Sequence, residues 1–156
     1  MFKRTLLALA LGLAAVAPAH AKPAKADALT RMFTWWNAAF KTPGAYTPAA
    51  FRAYFTEDAT LTINGAQVAT GVEGWAKHFQ RIQGNGGIVE IVLPFRKVGQ
   101  VGDTIYTYHV IRSVRSSVAG CLLAGGYATV RGGKISAVVL SRAPIDASSD
   151  PDCAMP

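Results

Sequence analysis

The chain has 156 residues, 51% of them hydrophobic, which suits one globular domain with a sizeable core. Its formal charge of +7 arises from 16 basic against 9 acidic residues, but the basic residues are scattered. The chain has no Lys/Arg block, no nucleic-acid signature, no cysteine pair at metal-ligand spacing and no phosphate-loop glycine pattern. These features argue against a nucleic-acid partner, a zinc site and a nucleotide cofactor, and no cofactor is expected.

Lys3 and Arg4 precede an apolar run from Leu6 to Val16, then Pro18 and the small-x-small sequence Ala19-His20-Ala21. That pattern predicts a secretory signal peptide over residues 1–21, cleaved before Lys22, and an exported (periplasmic or secreted) mature chain. The run is too short for an ordinary membrane span, and no later segment suggests one. Without Lys3 and Arg4, 14 basic and 9 acidic residues leave a charge of +5.

Residues 22–27 read as a polar leader. From Ala28 onward, Leu29, Met32, Phe33, Trp36 and Phe40 recur at helical spacing, ending at Thr42-Pro-Gly44. Thr47-Pro48 is a cap-and-proline start for a second short helix that carries Phe51, Tyr54 and Phe55 inward. Thr60–Ile63 and Ala66–Thr70 flank Asn64-Gly65, a hairpin signal. A third helix runs from Trp75 to Gln83 with Trp75, Phe79 and Ile82 on one face, and Gly84-Asn-Gly-Gly87 closes it.

The rest reads as a four-strand antiparallel meander over 88–97, 104–115, 119–131 and 134–142. Helices and strands are segregated, so the fold class is α+β, with the domain spanning 28–143 and a tail over 144–156. In an oxidising compartment the even count makes Cys121 and Cys153 a candidate disulfide that would pin this tail to a strand. Bridging distance is not fixed by sequence.

Several segments resemble the nuclear-transport-factor-2-like (NTF2-like) superfamily, in particular its SnoaL-like branch. They are Tyr54-Phe-Thr-Glu-Asp-Ala-Thr-Leu61, Gly71-Val-Glu-Gly-Trp-Ala-Lys-His-Phe79, the Gly102-Asp103 turn before a long strand, and Val130-Arg-Gly-Gly-Lys-Ile-Ser136. The resemblance covers roughly residues 28–142. It implies a cone: a strongly bent antiparallel sheet wrapped around three N-terminal helices, with an internal pocket. The superfamily includes isomerases, dehydratases, epoxide hydrolases, polyketide cyclases and non-catalytic association modules, so the fold alone does not give an activity.

The carboxylate base, helix-1 tyrosine and late-strand acid of the ketosteroid-isomerase-like members fall here near Ile63, Trp36 and Gly125-Gly126, so all three functional groups are missing. The strand acids of the epoxide hydrolases have no equivalents either. The dehydratase-like members line the cone with histidines and tyrosines, which His109 and His78 resemble, with Tyr46, Tyr54 or Tyr127 as hydroxyl partners. Strand alternation sharpens the case for His109. Pairing 98 with 104 puts Val89, Ile91, Leu93 and Phe95 on one face with Ile105, Thr107, His109 and Ile111. Glu90 then opposes Arg112 on the solvent side, an arrangement favoured because it leaves no charge buried alone.

His109 is thus expected inside, as a pocket base or as a packed core histidine. His78 sits at the edge of its helix's apolar face, and Asp58 reads as turn or cap chemistry. Trp36, Phe55, Trp75, Phe79, Phe95 and Tyr127 are the expected ligand-contacting residues. The function that follows is an exported domain holding a small hydrophobic molecule. It either performs cofactor-independent acid–base chemistry through His109, Tyr54 or His78, or serves as a non-catalytic binding or association module. A homodimer through the sheet suits both.

Overall fold

In the computed structural model, residues 26–154 are described; the expected signal peptide and most of the leader lie outside them. Helix α1 spans Ala28–Phe40, and Asp27, the end of the supposed leader, caps it by accepting from the Thr30 amide at 2.9 Å. Helix α2, Pro48–Arg52, starts on Thr47, whose side chain accepts from the Ala50 amide. Strands β1 (Phe55–Ile63) and β2 (Ala66–Thr70) form the expected hairpin, with β1 starting five residues earlier than Thr60. Phe55 therefore belongs to a strand. Helix α3 covers Gly71–Gly84, and β3 to β7 follow as Ile88–Ile91, Lys97–Val101, Thr104–Arg115, Val118–Arg131 and Lys134–Pro144.

The strands form one strongly curled sheet in the order β2-β1-β7-β6-β5-β3, with β4 also paired to β5. All pairings are antiparallel except β1 with β7, so the sheet is mixed. The segment read as one strand over 88–97 is two. β3 places Glu90 opposite Arg112, as expected from burying no lone charge, whereas β4 pairs Val98 with Thr107 and not with residue 104. The ladder breaks over Val92–Arg96, where Pro94 has no amide to donate and follows a cis peptide bond. The alternation survives the break: Val89, Ile91 and Phe95 are buried together with Ile105, Thr107, His109 and Ile111.

Aromatic rings from the helices fill most of the cone. Trp36 lies 4.1 Å from Phe79, 5.5 Å from Tyr46 and 5.6 Å from Phe40, centroid to centroid. Its indole donates to the Val89 carbonyl at 3.1 Å, and the Trp75 indole donates to that of Ala59 at 3.1 Å, so neither N–H is left unpaired. Asn37 clamps α1 to the edge strand through both its amide groups, donating to the Ile91 carbonyl (2.7 Å) and accepting from the Ile91 amide (2.9 Å). Gln83 of α3 donates to the carbonyls of Ala39, Phe40 and Thr42, which ties α3 to the C-terminal end of α1 and the turn after it.

On the outer face the tail is strapped down. Cys121 and Cys153 form a disulfide with a Cα separation of 5.6 Å, and both are buried beside Val110. Arg96 pairs with Asp150 and Asp152, and Arg112 donates to the Ala154 carbonyl. The Glu90–Arg112 pair, expected at the solvent side, is largely covered, with side-chain exposures of 21% and 17%.

Two outcomes follow. The disulfide closes a 32-residue separation, for which loop-closure entropy gives roughly 3–4 kcal/mol. Denaturant titration with and without reductant should show a loss of that order, and a Cys121→Ser/Cys153→Ser double variant should be insensitive to the reductant. At Gly126 an added Cβ would lie 2.1 Å from the Val139 carbonyl oxygen and 2.7 Å from the Leu140 Cα. Because backbone must move to admit it, Gly126→Ala should cost about 3 kcal/mol, read from the shift in urea midpoint.

Candidate functional site

The inner row of β5 runs Ile105, Thr107, His109, Ile111, Ser113, all buried, and the same alternation brings Arg115 to its open end. On β7 the inner row is Val138, Leu140, Arg142. Between these strands and the helices lies a cavity of about 60 Å³. Phe33, Trp36, Trp75 and Phe79 close it from the helix side, and Leu61, Val89, Ile91, Ile111, Val138 and Leu140 from the sheet. His78, Arg115 and Arg142 supply its titratable groups. At roughly 10–15 Å³ per water, it has room for about four to six water-sized volumes.

Beyond it lies a wider vestibule of about 360 Å³, which shares Ile63, His78, Ile82, Arg115 and Arg142 with the cavity. Arg81, Asn85 and Ser116 complete its polar wall. None of the nine acidic residues lines either space. Burial, and then the charges of Arg81, Arg115 and Arg142, hold the His78 imidazole below its ordinary pKa, so the ring is neutral at pH 7. Burial and the neighbouring Arg115 charge likewise lower the pKa of Arg142. Its guanidinium still remains charged.

Of the residues expected at the site, Trp36, Trp75, Phe79 and His78 meet at this cavity, and the others lie elsewhere. Phe55 packs 4.4 Å from Trp75 in the core, Phe95 sits against Phe33 and His109, and Tyr127 is exposed on the outer face near Tyr106. Tyr54 stacks on Trp35 at 5.0 Å. Tyr46 is fully buried and donates to the Trp36 carbonyl, and burial raises its pKa far above the usual phenol range. Asp58 pairs with Arg131, whose hydrogen bond is the main cause of a pKa held down to about 2.

His109 is only 2% exposed, with the rings of Phe95 at 5.4 Å and Phe33 at 6.1 Å. Neither ring nitrogen has a hydrogen-bond partner among the described residues, so no tyrosine or carboxylate orients it. It borders a void of about 10 Å³, separate from the main cavity. Arg81, Arg115 and Arg142 were not singled out from sequence, although Arg115 shares strand parity with His109 and Arg142 follows Val138 and Leu140 at two-residue steps.

Desolvation lowers the His109 pKa from 6.5 to about 4. Between these values the unfolded chain binds a proton that the folded chain refuses. The stability it contributes is therefore full above pH 6.5 and is lost as the pH falls towards 4, by about 3 kcal/mol at most. Urea titrations across this range should show that loss. His109→Leu, which removes the unpaired ring nitrogens, should flatten the acid limb and hold or raise stability at pH 7.

No family model and no curated protein matches this sequence. Solved structures do match. An NTF2-like protein of unknown function from Exiguobacterium sp. 255-15 aligns over 76% of this chain and 98% of its own, with TM-score 0.58 and 18% identity. A putative SnoaL-like polyketide cyclase from Jannaschia sp. CCS1 aligns over 75% and 82%, with TM-score 0.55 and 15% identity. An LEH-like epoxide hydrolase from M. tuberculosis aligns over 73% and 84%, with TM-score 0.53 and 17% identity. At such identities the likeness speaks for architecture alone. In architecture, this chain has the NTF2-like fold, the three-helix, curled-sheet cone shared with SnoaL-like proteins.

Proposed function

We propose that this chain is a binding domain that holds a small apolar molecule in its cone without transforming it. The observation that carries this reading is the 60 Å³ cavity, walled by aliphatic and aromatic side chains and open towards a wider vestibule. Apolar pockets with a few convergent polar groups are the usual form of small-molecule sites. Acid–base chemistry has little support from the lining. His109 lies outside the cavity, Tyr46 is committed to a backbone carbonyl, and His78 is the one neutral base at hand, with no carboxylate to orient it.

Export of the mature chain, proposed from the N-terminal pattern, is supported by the Cys121–Cys153 disulfide, since such bonds persist in oxidising compartments. Exposed Tyr106, Tyr108 and Tyr127 on the outer sheet face support association of two copies there.

The test is a thermal-shift panel of small apolar compounds such as benzene, toluene and cyclohexanone. A bound compound at a hundredfold excess over its Kd should stabilise the protein by about 2.7 kcal/mol. Ile111→Phe, which fills the cavity, should remove the shift, and His109→Leu should preserve it. A panel that moves neither the wild type nor His109→Leu would overturn the reading.

A further inference from the structure

Arg52, Arg96, Arg112 and Arg131 each hold at least one carboxylate partner. Arg81, Arg115 and Arg142 hold none among the described residues, and all three line the same vestibule. Placing three like charges together without a counterion raises the free energy of the folded chain. The cost is greatest at Arg142, which is half-buried. Two of the three, Arg115 and Arg142, also line the apolar cavity, so their stems lie along its wall. His78, between cavity and vestibule, is neutral and adds a hydrogen-bonding ring without adding charge.

We infer that the vestibule binds the anionic oxygen head group, carboxylate or phosphate, of a small amphiphile whose apolar body enters the cavity. This rests on the binding reading proposed above and names the chemical class of its ligand. Guanidinium forks match the paired oxygens of both head groups, and charge-assisted hydrogen bonds of this kind are about twice as strong as neutral ones. The cavity's roughly four to six water-sized volumes set the part of the body it admits at about four to six heavy atoms, the greater part of one phenyl ring.

Isothermal titration of the purified protein with phenylacetate, phenyl phosphate and the neutral 2-phenylethanol tests this. At least one anion should bind about tenfold or more tightly than the alcohol, equivalent to about 1.4 kcal/mol, with a preference that shrinks at high salt. The better anion identifies the head group. Arg115→Gln and Arg142→Gln should each abolish most of the preference, read as the ratio of anion to alcohol affinity measured on the same variant. Arg31→Gln, away from the vestibule, should leave the preference intact.

If the alcohol binds as tightly as both anions, the apolar-cavity reading stands and the head-group inference is overturned. If none of the three binds, both are overturned. If inorganic phosphate binds as tightly as phenyl phosphate and Ile111→Phe leaves both affinities unchanged, the arginines form a surface anion site and the amphiphile assignment fails.

Discussion

A sheet curled into a cone creates a concave volume, and the helices must fill it to interior density for the curl to persist. Trp36 is where that requirement is met. It touches rings from all three helical segments, its indole N–H is held by β3, and its own carbonyl receives the Tyr46 hydroxyl. Asn37, one residue on, fixes the same edge strand through paired amide bonds. The helix layer and the sheet are therefore joined by a packed aromatic plug and by directional bonds that set its depth. What the plug leaves unfilled is the cavity.

That arrangement divides the cone chemically. At its closed end, side chains pack without a titratable group in the cavity wall. At its open end, strand ends and the last turn of α3 bring arginines together. The two histidines show how position within this gradient decides chemistry. Burial alone pushes His109 into its neutral form, with no partner for either nitrogen. His78 is held neutral by partial burial and three nearby guanidinium charges, while facing open space. The same imidazole is an inert packing element in one place and a solvent-facing polar group in the other.

The outer face has its own asymmetry. Near the β5–β6 turn the tail covers Val110 and the Glu90–Arg112 pair, and the disulfide holds it there. Because of that strap, a residue of outward parity such as Val110 is as well buried as its inward neighbours. Towards the other end, Tyr106, Tyr108 and Tyr127 remain open.

Much of this was determined by local sequence. Helical spacing placed α1 and α3, Thr47-Pro48 started α2, Asn64-Gly65 turned the first hairpin, and alternation turned His109 inward opposite a surface that carries Glu90 and Arg112. These follow from side-chain direction and the cost of burying charge, which act within a few residues. The tertiary structure decided the rest. The parallel pairing of β1 with β7 joins segments about eighty residues apart, and the break at Pro94 shifts one register without changing which face is buried. Above all, Arg81, Arg115 and Arg142 come from one helix and two strands that are not neighbours in the sheet. Parity could tell that Arg115 and Arg142 face inward. Only the curl of the sheet, which brings its ends around the helices, determines that they face the same opening.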